Sequence, residues 1–211
     1  RAAGMNMVRV PGTMVYEAPG FWDCCDELGI LVWQDAMLTT YDPPSDDEWL
    51  DSLRRELTGV LTPLAGRPPV AVISGGSETE QQPAMLGLER VDYDMPSIYQ
   101  VIPAVVSSVL PGVPYVTSSP SGPGLPTHSS AGVAHYFGVG AYLRPLTDAR
   151  LANVRFATEC LAFSNPPDND TVDEFFGGPL AAGQRPDWKA AVPRDAGASW
   201  DFEDVRDFYT H

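Results

Sequence analysis

Two glutamates each close an apolar run: Val70-Ala-Val-Ile-Ser-Gly-Gly-Ser-Glu78 and Val154-Arg-Phe-Ala-Thr-Glu159. A pair of carboxyl groups can hydrolyse a glycosidic bond, one giving a proton to the leaving oxygen while the other attacks carbon or activates water. Arg9, Asp35 and His135 close apolar runs in the same way. In a parallel α/β barrel the residues just past the strands face the site, which makes these side chains the ones to inspect. A strand-end glutamate also serves as a solvated cap or an ion-pair partner, so this pattern nominates candidates without assigning roles.

Metal chemistry has less support. The cysteines are Cys24, Cys25 and Cys160, two adjacent and one distant, and His128, His135 and His211 are scattered. Neither set has the paired spacing of a disulfide framework or a metal site, and no metal or cofactor is expected. The formal charge is −15, and Lys189 is the only lysine among 211 residues. A cationic face for phosphate is therefore missing, which argues against nucleic acid and anionic membranes and favours a neutral substrate. No apolar run approaches the ~18 residues needed to span a membrane.

The elements that must position these residues read as alternating strands and helices. Asn6 to Val10 is a strand, Phe21 to Leu28 a helix stopped by Gly29, and Ile30 to Asp35 a second strand. This is βαβ grammar, and it predicts an α/β fold. From Asp46, residues Trp49, Leu50, Leu53, Leu57, Val60 and Leu61 fall on one helical face, and Pro63 and Gly66 end it. Val70 to Ser74 is a third strand. A helical face follows through Ile98, Val101, Ile102, Val105 and Val109, interrupted by Pro103. Val113 to Thr117 is a fourth strand, and residues 118 to 134, rich in Ser, Pro and Gly, form a loop. His135 to Val139 and Asn153 to Glu159 read as fifth and sixth strands. Val172 to Phe176 and Phe202 to Tyr209 read as helices, the latter with Asp201 as cap. No repeat and no linker divides the chain, so one unit is expected.

Several ordered segments resemble glycoside hydrolase family 2, and the β-mannosidase-like barrels within it. Asn6-Met-Val-Arg-Val10, Tyr16-Glu17 and Phe21-Trp-Asp-Cys-Cys-Asp-Glu-Leu-Gly-Ile-Leu-Val-Trp-Gln-Asp35 are similar to its second and third barrel strands. Gly75-Gly-Ser-Glu-Thr-Glu80 resembles its acid/base segment Gly-Asn-Asn-Glu-Asn-Glu, and His135-Tyr-Phe-Gly-Val139 resembles His-Tyr-Trp-Gly-Val. Arg155-Phe-Ala-Thr-Glu-Cys-Leu-Ala-Phe163 is similar to Arg-Phe-Val-Ser-Glu-Phe-Gly-Phe, and Trp200 to Tyr209 to the segment before the last strand.

The resemblance implies a (β/α)8, or TIM, barrel that retains configuration through a covalent glycosyl-enzyme. Glu78 is then the acid/base, with Glu80 as its neighbour, and Glu159 the nucleophile. It also implies substrate binding by Arg9, Asp35, Ser77, His135 and Tyr136. Arg9 beside the nucleophile would keep it ionised, and His135 and Tyr136 would bond the nucleophile or the sugar. For Trp33, core packing is the competing expectation, since it lies within an apolar run. Terminal β-mannosides are the implied substrate. Exo-β-glucosaminidase, β-galactosidase or β-glucuronidase specificity and a catalytically silent carbohydrate-binding barrel are alternatives.

Departures from the pattern bear on specificity. Asn before the acid/base is Ser77 here, with a shorter reach toward the sugar 2-substituent. Arg-Val-Trp-Gly-Gly reads Arg9-Val-Pro-Gly-Thr13, the expected aromatic pair after Val139 is Gly140-Ala141, and Phe-Gly after the nucleophile is Cys160-Leu161. Counted against the family, residues 1–211 hold roughly the second to seventh strands of the barrel. The first and eighth strands and the N-terminal jelly-roll and immunoglobulin-like domains are not among them. The expected partner is therefore the rest of a larger chain, or a second chain, that completes the barrel.

Overall fold

Parallel strands buried on both faces need apolar side chains at nearly every position, and Leu31–Asp35 (β2), reading Leu-Val-Trp-Gln-Asp, is buried from Val32 onward. The structure is a computed structural model that describes residues 1–40, 42–93, 95–161, 167–183, 185–190 and 202–210. Met7–Val10 (β1), β2, Val70–Ser74 (β3) and Tyr115–Val116 (β4) form one sheet in the order β1-β2-β3-β4, with all neighbours parallel. Its register pairs Arg9 with Trp33, Asp35 with Ser74 and Ser74 with Val116, so the C-terminal ends of the strands share one edge.

Local signals explain the crossovers. Pro19–Leu28 (α1) starts with proline, whose missing N–H costs nothing at the first turn, and ends at Gly29 with φ 62. Asp47–Leu61 (α2) is capped by Asp46, whose carboxylate accepts the Trp49 N–H at 2.9 Å. Leu53, Leu57 and Leu61 of α2 are buried in the core with Val32, Ile73, Ile98 and Ile102, each such side chain contributing about 1.5–3 kcal/mol. Gln81–Met85 (α3) is a short helix beyond β3.

The helical face through Ile98 and Val109 is present but divided. Ser97–Val101 is a π-helical turn, and Ile102–Val109 (α4) begins with Pro103 in its first turn. A proline that lacks an N–H and crowds the carbonyl four residues back cannot sit in an unbroken α-helix.

The chain divides into two compact units, Arg1–Ala134 and His135–His211. The boundary falls at the end of the Ser/Pro/Gly loop, which supplies few apolar anchors. Within that loop, Ser121 and Val133 pair in an isolated antiparallel bridge, and Ser77 pairs with Ser119.

In the second unit, Ala134–Tyr136 (β5) and Ala157–Cys160 (β6) form a two-stranded sheet. β6 starts later than Asn153, because Asn153 takes a left-handed backbone with φ 51. Asp148–Leu151 (α5) lies between the strands. Asn169–Phe176 (α6) is capped by Asp168 and ends at Gly177 with φ 76. Pro179–Ala182 (α7), Pro186–Ala190 (α8) and Phe202–Thr210 (α9) follow. The expected cap Asp201, with Trp200, lies outside the described residues. No helix among the described residues is long and apolar enough to cross a membrane.

Candidate active site

Asp35 is fully buried at the end of β2 and collects donors from three directions. Arg9 Nη2 donates to Oδ2 at 2.7 Å, the Gly12 N–H to Oδ2 at 3.1 Å, and Trp33 Nε1 to Oδ1 at 2.8 Å. Arg9 Nη2 also donates to Ser77 Oγ at 3.1 Å, tying the end of β1 to the loop after β3. Trp33 thus packs in the core while its indole N–H orients Asp35. Gly12 admits no side chain: a Cβ there would stand 2.4 Å from the Leu38 carbonyl oxygen and 2.8 Å from that of Ala36.

Glu78 follows this network in a loop shaped by close backbone approach. A Cβ on Gly75 would lie 2.2 Å from the Thr117 carbonyl oxygen, and one on Gly76 2.6 Å from that of Leu38. The Ser77 N–H donates to the Leu38 carbonyl at 2.8 Å and the Glu78 N–H to that of Ser119 at 2.7 Å. Glu78 itself has φ 58, a left-handed conformation that costs a residue with a Cβ about 1–2 kcal/mol. Such outliers persist where surrounding contacts over-determine them, and they cluster at functional sites. The side chain is half-buried, and Gln82 Nε2 donates to Glu78 Oε2 at 3.2 Å.

In the second unit, Glu159 on β6 is partly exposed, and its Oε1 lies 3.5 Å from Nε2 of the buried His135 on β5. Successive strand residues face opposite ways. Tyr136 accordingly turns to α5, where its hydroxyl donates to Asp148 Oδ2 at 2.6 Å. Burial, and then that bond, push the Tyr136 phenol up to about 12. Of the two residues expected to bond the nucleophile or the sugar, His135 lies beside Glu159 and Tyr136 bonds Asp148.

Two departures noted in the sequence meet here. Gly140 has φ 100, and a Cβ on it would fall 1.3 Å from the Leu161 carbonyl oxygen. Leu161 takes φ 71 and donates its N–H to the Tyr136 carbonyl at 2.9 Å. Gly140-Ala141 in place of an aromatic pair and Cys160-Leu161 in place of Phe-Gly are therefore the two sides of one backbone contact. Gly12, Glu80 and Gln82 were not singled out as site residues from sequence. For Gln82 a signal existed, since a residue four beyond Glu78 lies one helical turn away.

No protein-family model matches the chain. It is 36% identical over 147 residues to a β-mannosidase B from Thermothelomyces thermophilus, a match covering 63% of this chain and 17% of that protein. It is 35% identical over 130 residues to a β-mannosidase from Bos taurus, covering 56% of this chain and 14% of that one. The chain thus corresponds to a small part of these relatives. Its structure is similar to the crystal structure of a β-D-mannosidase from Dictyoglomus thermophilum, with a TM-score of 0.72 and 28% identity over 82% of this chain and 22% of the other. A β-glucuronidase from Parabacteroides merdae shares the fold at a TM-score of 0.51 and 15% identity, over 94% of this chain and 23% of that one. Over the residues they cover, these matches support a β-mannosidase-like domain of the glycoside hydrolase family 2 kind.

Proposed function

We propose that this chain is the larger part of the catalytic (β/α)8 barrel of a retaining exo-β-glycosidase acting on terminal β-mannosides or closely related β-glycosides. In this reading it supplies roughly the second to seventh strands, and the remainder of a longer protein, or a second chain, supplies the rest. The observation that carries the reading is Glu78. It sits just past the C-terminal end of a parallel strand, on a left-handed backbone fixed by neighbouring carbonyls, with Gln82 donating to its carboxyl group. The similarity to β-mannosidases supports the substrate class.

Glu159 attacks the anomeric carbon as the glycosidic C–O bond breaks, and Glu78 gives its proton to the departing oxygen. Water then loses a proton to Glu78 and attacks the same carbon, releasing Glu159 and restoring the configuration. Net retention requires the two carboxyl groups to stand about 5 to 5.5 Å apart. The negative charge of Glu159 then favours the protonated form of Glu78. His135, 3.5 Å from Glu159, orients the nucleophile. Arg9, Asp35 and Ser77 form the rigid floor under the sugar. Ser77 Oγ already accepts from Arg9 and keeps one hydroxyl proton to donate, so it recognises the sugar 2-position differently from an asparagine.

The complete protein assayed on a panel of nitrophenyl β-glycosides is expected to prefer the β-mannoside and to release β-mannose first, as seen by NMR. E159A should lower turnover by orders of magnitude while sugar binding persists. Unchanged turnover in E159A, or release of the α-anomer first, would overturn the mechanism. Sugar binding without turnover in the wild type would favour a silent carbohydrate-binding barrel.

A further inference from the structure

Glu80 lies two residues beyond Glu78, and its side chain is only 1% exposed. Its carboxylate accepts the Tyr99 hydroxyl, and Arg90 Nη2 stands 3.2 Å from Oε1. The Arg90 guanidinium also lies over the Tyr99 ring, 4.7 Å from its centroid. The Glu80 N–H points at Ser118 Oγ, 3.4 Å away, while the adjacent Ser119 donates its N–H to Gly76 at 2.9 Å and accepts that of Glu78 at 2.7 Å. Residues 76 to 80 are thus held from both sides. Tyr99 belongs to the π-helical turn Ser97–Val101, and Tyr115 braces that turn by donating its hydroxyl to the Ile98 carbonyl at 2.6 Å.

Burying a carboxylate costs several kcal/mol unless its partners are well placed, and an apolar side chain would fill the same space at no such cost. Local stability alone therefore gives little reason for an acid at this position. Its location supplies one. Glu80 is the residue immediately before α3, and Gln82 in the first turn of α3 donates to Glu78 Oε2. A shift of the Glu80 carboxylate moves that turn, and with it both the donor to Glu78 and the strained backbone Glu78 occupies. Burial first, and the Glu80 carboxylate second, push the Tyr99 phenol well above its usual range, so Tyr99 remains a donor at all ordinary pH.

We propose that Glu80, gripped by Tyr99 and Arg90, is a positioning residue that aims the Glu78 carboxyl group at the leaving-group oxygen. The inference rests on Glu78 being the acid/base. It predicts a defect in proton delivery, which a merely structural defect does not mimic. Expulsion of a leaving group that departs without protonation should be spared, while that of a poor one should suffer.

The test compares E80Q and Y99F with wild type in the complete protein, using a dinitrophenyl and a methyl β-mannoside, with E78Q and E159A as references. E80Q is expected to lower kcat/KM, which reports the step that expels the leaving group, about 100-fold on the methyl glycoside, the scale of a small misplacement of a catalytic group. The loss of kcat/KM on the dinitrophenyl glycoside should be less than about tenfold, and Y99F should show the same bias more weakly. If E80Q does not fold, Y99F decides. Equal losses on both substrates, or none, would overturn the positioning role while leaving the functional reading intact. If E78Q lacks the leaving-group bias, or the wild type hydrolyses neither substrate, the functional reading itself falls and this inference with it.

Discussion

Gln82 Nε2 donates to Glu78 Oε2 at 3.2 Å from one helical turn further along the chain, and Gln82 N–H donates to the Glu78 carbonyl at 3.1 Å. The side-chain bond favours the ionised carboxyl group, because an amide donor bonds a carboxylate more strongly than a carboxylic acid. Q82M removes the donor at nearly constant volume. The proton of Glu78 should then be held more tightly. In the proposed acid/base role glycosyl transfer to the enzyme needs Glu78 protonated, so the alkaline limb of kcat/KM should move upward by about one pH unit. A pH–rate profile of the complete protein measures this, and a downward shift contradicts it.

D35N leaves Arg9 with a neutral partner at a buried position where the carboxylate now takes three donors from Arg9, Gly12 and Trp33. Breaking a buried ion pair from one side costs about 3–5 kcal/mol. The unfolding free energy from urea titration should fall by that amount, and a change under about 1 kcal/mol would mean that surface-like screening governs the pair instead.

The Gly140–Leu161 contact yields a paired test. G140A forces a Cβ to 1.3 Å from the Leu161 carbonyl oxygen at a φ of 100, so it should destabilise by more than about 2 kcal/mol. L161G relieves a side-chain-bearing residue from φ 71 and should recover part of the roughly 1 kcal/mol that conformation costs, less the lost side-chain contacts. G59A is the control: it lies within α2, where a Cβ meets nothing within 4 Å, and should stabilise by about 0.5–1 kcal/mol. Thermal unfolding orders the three.

Asp168 caps α6, accepting the Thr171 N–H at 2.9 Å, and that bond holds its carboxyl below the usual aspartate range. A carboxylate with a depressed folded-state pKa lends stability above its unfolded-state value and loses it as pH falls through the folded-state value. The Thr171 amide shift should therefore titrate below the ordinary aspartate pKa. In D168N, which also caps, the pH-dependent loss should vanish.

How much of this was legible in the sequence depended on how local each signal was. β1, β2 and β3 declared themselves as β-branched apolar runs because both faces of a parallel strand are buried, and α2 by its leucine spacing and Asp46. Pro103 marked a break but not its form, since the π-helical turn that accommodates it takes shape only against the core. The candidate glutamates were visible as strand-end residues, and Glu80 only as a neighbour of Glu78, because Tyr99 and Arg90 reach it through tertiary packing. Gly12, Gly75 and Gly76 carry no local sign that a carbonyl from another segment approaches them. The divergence of His135 and Tyr136 followed from strand alternation, which the resemblance alone did not convey.

The left-handed backbone at Glu78 sets an order on how this lineage could lose its chemistry. Glycine or asparagine fits φ 58 better than glutamate does. A descendant released from selection for turnover would therefore drift toward those residues at position 78 and gain thermal resistance in doing so. In the proposed acid/base role Glu78 is held against its own conformational preference, and a homologue with glycine or asparagine at this point would lack the proton donor that role requires.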